Sequence, residues 1–413
     1  MKRRIAVDLG VLRDSRNLRL LVIGELLSGL GTHAVLVAIP FQVYVLTRSA
    51  ALVGLLGLVE LVPIVVCSLL GGAMADRMER RRLMLYAQAA IAASAASLAA
   101  ISFAGDLPVP LIFLFAALLA AGSTVDNVTR SAIVPALAGD RLRAALSITY
   151  GLHAISAVVG PAVGGLMIAA FGVESAYAGQ TAGFLVMMGV TLALPRLPPA
   201  PGDAEHPPIG RSIIEGVRFV RGNSALMGSF AIDLVAMTFG MPRALFAVLA
   251  LTVYDAGAAG TGLLYASVAA GATIAALTTG WVEHARWLGR IVIGAVVVWG
   301  LAIAAAGFMP SLWPAAALLA LAGAADSVSA VCRSIINQTV TPEQLRGRMS
   351  AIFMLVVTSG PRLGDFEAGI AASLTTASFA VVSGGLACVV GVAVIVALFP
   401  ALADYDGRQA PPP

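Results

Sequence analysis

Charge is scarce in this chain. Only 12% of its 413 residues are charged and 59% are hydrophobic, whereas a water-soluble domain carries about 25% charged residues. That shortage excludes an ordinary soluble protein and points to lipid as the solvent for most of the molecule. Lysine is scarcer still: Lys2 is the single lysine among 26 basic residues. The arginines gather in short turns between apolar runs, with no basic patch interleaved with aromatics, so a nucleic-acid partner is not expected. Three cysteines, Cys67, Cys332 and Cys388, lie inside apolar segments without a CxxC spacing; they read as small buried residues. Four histidines are scattered without HExxH, so no metal site is expected. A GxxxxGK[ST] loop is also missing, which argues against a nucleotide-driven pump, and no enzymatic activity is expected. The polar start MKRRIAVDLG has no apolar core or cleavage site of a signal peptide, and the first membrane run is expected to serve as its own insertion signal.

What is present is long apolar runs. A spanning helix needs about 20 apolar residues, and twelve stretches qualify, at about 18–46, 50–74, 83–105, 108–136, 143–171, 174–194, 224–252, 257–282, 288–309, 311–338, 347–373 and 376–400. They are rich in Ala, Leu and Gly and lack the short period-two pattern of a membrane barrel. The expected fold is therefore all-α and integral to the membrane. Arginines crowd the turns on one side, as in Arg77, Arg80, Arg81 and Arg82, then Arg141 and Arg143, then Arg286 and Arg290. The opposite turns hold little beyond Arg48, Asp106, Glu174 and Asp255. The positive-inside rule then places both termini in the cytoplasm of a bacterial inner membrane. Arginine beside abundant alanine and glycine suggests a GC-rich bacterium.

The chain divides at PRLPPAPGDAEHPPIGRSIIEGVRFVRGN, about 195–223. Its proline-rich half reads as an extended linker, and Ile213, Ile214, Val217 and Val220 give the second half the spacing of an amphipathic surface helix. The expected organisation is an N-terminal six-helix bundle over 1–195, a linker over 196–222, a C-terminal bundle over 223–400 and a cytoplasmic tail over 401–413. An internal repeat supports it. Arg130-Ser131 is followed by Asp140, Arg143 and Ser147, and Arg333-Ser334 by Glu343, Arg346 and Ser350, at intervals of 10, 13 and 17 in both copies. GPAVGG at 160–165 answers GPRLGD at 360–365, and Glu25 answers Asp233.

Two six-helix halves joined by a cytoplasmic linker resemble the major facilitator superfamily, a plan of twelve helices in two pseudo-symmetric bundles. Gly72-x-x-x-Asp76-Arg77-x-x-Arg80-Arg81 resembles that superfamily's loop motif between the second and third helices. Glu79 departs from it, since many members have glycine there. The resemblance implies that Asp76 docks on the neighbouring half and holds the outward-facing gate closed; the bland alternative is a positive-inside anchor. Gly160-Pro161-x-x-Gly164-Gly165, with Gly151 upstream, is similar to the helix-five motif of exporters, against the alternative of ordinary helix packing. The superfamily's usual arginine on helix four is missing, with Leu118 at about its place. The turn ADRMERRR, the segment HPPIGRSIIEGVRFV and Thr341-Pro342-Glu343-x-Leu345-Arg346-Gly347-Arg348 resemble the siderophore-exporting group (enterobactin type) and its drug-efflux relatives.

Charges inside membrane runs are costly and functional by default. Glu25 and Asp233 sit on the first run of each half and are candidate proton carriers. Asp126 and Arg130, four apart, share a helical face, as do Asp326 and Arg333, seven apart. Arg130 and Arg333 read as gate partners of the Asp76 loop or as snorkelling anchors. Arg362, Asp365 and Glu367 fall within six residues; if Arg362 faces Asp365, Glu367 is left as a proton carrier, and otherwise Arg362 is free to attract an anion. The roles of Glu60 and Arg243 stay open. The function expected is a proton-coupled secondary exporter of small amphipathic molecules, siderophore or drug, working as a monomer in lipid with the proton gradient as energy source and no cofactor. The alternatives are an importer on the same fold and a non-transporting membrane receptor.

Overall fold

The computed structural model describes residues 12, 15–105, 108–138, 141–195, 215, 218–342 and 345–407, without the side chains at 69, 71–73, 75–77, 132, 136, 346–348, 350–352 and 354. Among the described residues the regular structure is helical. The helices are α1 (Arg16–Thr47), α2 (Ala50–Arg77), α3 (Arg80–Ala104), α4 (Val109–Ala138), α5 (Leu142–Phe171) and α6 (Val173–Ala193). There follow α7 (Ser224–Phe239), α8 (Leu245–Thr252), α9 (Gly257–Thr278), α10 (Leu288–Gly307), α11 (Leu312–Val340), α12 (Arg346–Leu374), α13 (Ala377–Leu398) and the short α14 (Pro400–Ala403). A 3-10 turn, Thr279–His284, extends α9.

Ten of these helices are long and apolar enough to cross a bilayer. The other two expected spans depart for physical reasons. The run at 224–252 is not one helix: it breaks between Phe239 and Leu245, where Pro242 has no N–H to give. The run at 347–373 is a single helix, α12, but Arg362, Asp365 and Glu367 cluster within it and lower its apolarity.

Two compact units emerge. One contains residues 1–46 and 62–205, the other 47–61 and 206–413, so the opening turns of α2 group with the second unit. In the first unit α3 packs along α4 and α6, and α5 along α6. One end of its core is apolar, built from Leu18, Leu21, Met84, Ile133, Val134, Ala145, Met187, Val190 and Leu194. Elsewhere in its core Tyr177 donates to Gln42 Oε1 at 2.6 Å and Gln42 Nε2 donates to Ser102 Oγ at 2.9 Å. In the second unit α11 packs along α9 and α10, and α13 along α10. Trp299, fully buried, donates its indole N–H to Gly240 O at 2.8 Å, at the break after α7. The segment expected to be a tail is docked over 400–407. Leu402 is fully buried, Arg286 Nε meets Asp406 Oδ2 at 2.8 Å, and the Gly407 N–H is donated to Arg286 O. Of the expected linker helix, 218–222 are helical; Ile213, Ile214 and Val217 lie outside the described residues.

Small residues let these helices approach closely, and the two glycine-proline motifs do it in matching ways. A Cβ added at Gly160 would lie 2.5 Å from His33 Cβ, and one at Gly164 2.5 Å from Ala34 Cα, so α5 lies against α1. A Cβ at Gly360 would lie 2.7 Å from Met237 Cβ, and one at Gly364 2.6 Å from the carbonyls of Met237 and Thr238, so α12 lies against α7. Pro161 and Gly165 are buried as well. Gly151 faces open space instead. We therefore expect Gly164→Val and Gly364→Val each to destabilise the protein by about 1–3 kcal/mol through overpacking. Gly151→Ala should leave stability unchanged or raise it by up to about 1 kcal/mol through helix propensity. Thermal unfolding of the purified variants in detergent checks both.

Candidate functional site

Each unit buries an arginine between two acids, and the positions correspond. In the first unit Arg130 of α4 bonds through Nη2 to Asp126, one turn earlier, while its Nη1 stands 3.9 Å from Glu25 Oε1 on α1. Asp126 is held from a third helix: Gln88 Nε2 on α3 donates to Asp126 Oδ1 at 3.0 Å. The Thr191 hydroxyl on α6 lies 3.1 Å from Gln88 Oε1. Gln88 and Thr191 are fully buried and Asp126 nearly so. Four helices thus supply one continuous polar chain inside a core that is otherwise apolar.

In the second unit Arg333 of α11 pairs through Nη1 with Asp233 of α7, and its Nη2 stands 3.7 Å from Asp326 on its own helix. Arg333 and Asp233 are almost wholly buried, at 2% and 1% exposure. The repeat-equivalent acids of the first run in each half, Glu25 and Asp233, therefore meet the repeat-equivalent arginines of the fourth, Arg130 and Arg333. A guanidinium that far from water is tolerable only when paired. The ion pairs of both arginines among the described residues are with these acids.

A third group lies in the second unit. Arg362 of α12 contacts Glu60 of α2 at 2.8 Å, and Asp365 only at 4.0 Å. The expected facing of Arg362 and Asp365 is thus secondary: Glu60 wins the guanidinium, because Asp365 Oδ1 already accepts the Ala244 N–H at 2.9 Å. Gly54 and Gly57 permit this approach of α2, since a Cβ at Gly54 would lie 2.6 Å from Asp365 O. Arg243, between α7 and α8, lies within electrostatic reach of Asp365, Glu60 and Asp326. Glu367 is half-buried, with no ion pair recorded among the described residues.

Around the loop after α2 the picture is partial. Gly72, Asp76 and Arg77 belong to the last turns of α2, and their side chains lie outside the described residues. Beyond them Arg81 Nη2 donates to Leu192 O at 2.6 Å, satisfying a carbonyl in the last turn of α6 that has no helical partner. Arg80 begins α3. Glu79, the departure from the superfamily motif, precedes the first turn of α3 and pairs with Arg82 at 2.9 Å, where a carboxylate also complements the helix dipole.

Some participants were not legible beforehand. Gln88 and Thr191 are polar residues inside apolar runs, which was the available signal. His33 on α1 and His153 on α5 meet edge to face with ring centroids 5.8 Å apart; 120 residues separate them in sequence, and no spacing rule links them.

The profile of the transmembrane secretion effector family, a major facilitator family, matches residues 12–410. This chain belongs to that family. It is 30% identical over 410 residues to the enterobactin exporter EntS of Shigella boydii serotype 4 (strain Sb227), covering 98% of this chain and 97% of the relative. It is 29% identical over 410 residues to EntS of Escherichia coli (strain K12), with the same coverage. Among solved structures the nucleoside transporter NupG aligns with a TM-score of 0.78 at 15% identity, covering 93% of this chain and 99% of that one. A bacterial homologue of the iron transporter ferroportin aligns at 0.71 and 15%, covering 94% and 98%. At that identity the structures show the fold, which is the major facilitator fold. The chain is a multi-pass membrane transporter rather than an enzyme.

The buried arginines predict a stability pattern. Removing one partner of a buried pair strands the other charge, at about 3–5 kcal/mol. Arg130→Gln and Arg333→Gln should each lower the thermal midpoint in detergent by several degrees, whereas Arg290→Gln, on an exposed side chain, should not.

Proposed function

We propose that this transporter is a proton-coupled exporter of small amphipathic molecules of the siderophore or drug type, acting by alternating access of its two bundles. The observation that carries the reading is the charge balance of the buried groups. In the first unit one guanidinium, Arg130, faces two carboxyls, Glu25 and Asp126. In the second, Arg333, Arg362 and Arg243 face Asp233, Asp326, Glu60 and Asp365. Each of these two sets of buried groups holds one acid more than it has guanidiniums. An uncompensated carboxylate in a low-dielectric interior is unfavourable and takes up a proton instead. A proton entering from outside discharges the surplus, and its release inside restores it, so each acid constellation is two-state by construction.

Uphill export requires such coupling, because without an ion the same scaffold only equilibrates its substrate. We assign the moving protons to Glu25 and Asp233, the acids at the matching positions, with Glu367 as the third candidate, since among the described residues no ion pair holds it. Asp126 stays paired with Arg130, and Asp326, 3.7 Å from Arg333, takes over that guanidinium when Asp233 is protonated. The Asp76 loop, with Arg77, Arg80 and Arg81, is the proposed gate on the inner face, and the arginine distribution places both termini in the cytoplasm of a bacterial inner membrane. The outward direction is supported by relatives named as enterobactin exporters. It is not supported by GPAVGG alone, because GPRLGD does the same packing work in the other half.

Two outcomes test the reading. In everted vesicles, accumulation of a catecholate siderophore should collapse when an uncoupler is added; equal accumulation with and without it contradicts proton drive. Glu25→Gln and Asp233→Asn, made singly, should cut proton-driven transport by about tenfold or more, as expected for functional charges in a membrane interior. Exchange of substrate down its gradient should persist in both variants. Normal driven transport in both would remove the carrier assignment.

A further inference from the structure

Two acids of the first unit share one guanidinium, and their surroundings differ. Arg130 Nη2 bonds to Asp126 Oδ2, while its Nη1 stands 3.9 Å from Glu25 Oε1. The other oxygen of Asp126 accepts the Gln88 amide Nε2 at 3.0 Å. The other oxygen of Glu25, Oε2, is buried and reached by no hydrogen-bond donor among the described residues. Glu25 is also the more accessible of the two, with 13% of its side chain exposed against 4% for Asp126. The groups that α3 and α6 bring to this point, Gln88 and Thr191, are uncharged. From α5, His153 lies within electrostatic reach of Arg130, with the ring of His33 from α1 against it.

A guanidinium only donates hydrogen bonds, whereas a glutamine amide donates from one end and accepts at the other. The partners of Gln88 therefore decide which end faces Asp126. Thr191 is the second partner, with its hydroxyl 3.1 Å from Gln88 Oε1. The single hydrogen of that hydroxyl has one alternative acceptor, Met187 O at 2.9 Å on its own helix. With Thr191 donating to Gln88, the amide donates to Asp126, and both oxygens of Asp126 face donors. That arrangement suits a carboxylate. A proton on Asp126 needs the reverse: Gln88 turned over, Thr191 donating to Met187, and Arg130 left with Glu25 at 3.9 Å as its charged partner. Glu25 takes a proton on Oε2 with no donor to displace.

We propose that Gln88, oriented by Thr191, is a positioning residue that decides which acid of the first unit carries the proton. It holds Asp126 as the carboxylate paired with Arg130. The proton then binds Glu25 Oε2, converts that carboxylate to the neutral acid and frees it from Arg130. Gln88 acts through Asp126 and not on the proton itself. One hydrogen bond to a charged group weighs about tenfold to a hundredfold in such a choice. The idea rests on the proton-coupled reading above, and it gives the first unit a reason to bury an amide and a hydroxyl in an apolar core.

The test is infrared difference spectroscopy between high and low pH on purified full-length protein in detergent, which reads neutral carboxyl groups directly. The unmodified protein should show a neutral-carboxyl band that Glu25→Gln removes and that heavy-carbon labelling of the aspartate carboxyls does not move. Gln88→Met keeps the length of the side chain and removes the amide. It should lower the ratio of protonated Glu25 to protonated Asp126 by about tenfold or more. The new band should move with the aspartate label and vanish when Asp126→Asn is added. Thr191→Val should change the ratio in the same direction by a smaller factor, and it decides the matter alone if Gln88→Met does not fold. A merely structural Gln88 would lower the thermal midpoint without moving the proton. The proposal is overturned if Glu25→Gln leaves every band in place, or if the folded Gln88 and Thr191 variants keep the ratio of the unmodified protein. Because no gradient is present, such a result leaves proton drive through Asp233 or Glu367 standing. Uncoupler-insensitive transport in vesicles would remove proton drive and leave this assignment standing.

Discussion

The structure depends on one constraint: a guanidinium cannot be left unpaired away from water. Arginine stays charged under all ordinary conditions, so each buried arginine dictates what must surround it. Arg333, at 2% exposure, brings an acid from α7 and another from its own helix to the same point. Arg130 brings one from α1 and one from α4, and the amide of Gln88 and hydroxyl of Thr191 extend the demand to α3 and α6. In both units a single charge thereby determines the rotational setting of several helices that would otherwise be interchangeable apolar rods. Hydrophobic contacts between helices offer little discrimination in lipid; these polar contacts offer much.

The second constraint is distance. Short side chains such as aspartate reach an arginine on a neighbouring helix only if the backbones come close. Glycine pairs four residues apart provide that closeness at corresponding places, Gly160 and Gly164 on α5, Gly360 and Gly364 on α12. The same logic holds Gly54 and Gly57 of α2 against the stretch of α12 that carries Arg362 and Asp365. Packing and electrostatics are therefore one design: small residues set the spacing, and charge pairs use it. Burying four acids with three arginines in the second unit leaves a residual negative charge that a proton can answer, which is the feature the proposed coupling uses.

Much of this was legible in the amino acids. Apolar run length predicted the helices, and the matched intervals after Arg130 and Arg333 exposed the duplication. Glu25 and Asp233 were recognisable as equivalents, as were the two arginines, yet their pairing with each other was not read. Sequence spacing relates residues on one helix, as with Asp126 and Arg130, and is silent on which faces of distant helices meet. Arg362 shows the same limit. Its neighbour at three residues, Asp365, looked like its partner, but Glu60, about 300 residues earlier, takes the guanidinium because the Ala244 N–H occupies Asp365. The break after Phe239 was hidden inside a uniformly apolar run, where Pro242 was the one mark of it.

The central claim is that Glu25–Arg130 and Asp233–Arg333 are equivalent ion pairs that organise their units. Double-mutant cycles on thermal or denaturant unfolding measure this directly, using Glu25→Gln with Arg130→Gln and Asp233→Asn with Arg333→Gln. The account predicts that each double variant loses less stability than the sum of its singles, by about 1–3 kcal/mol, the range for charges in direct contact. Losses that simply add, in both cycles, would show that the acids and arginines act independently and would contradict the account.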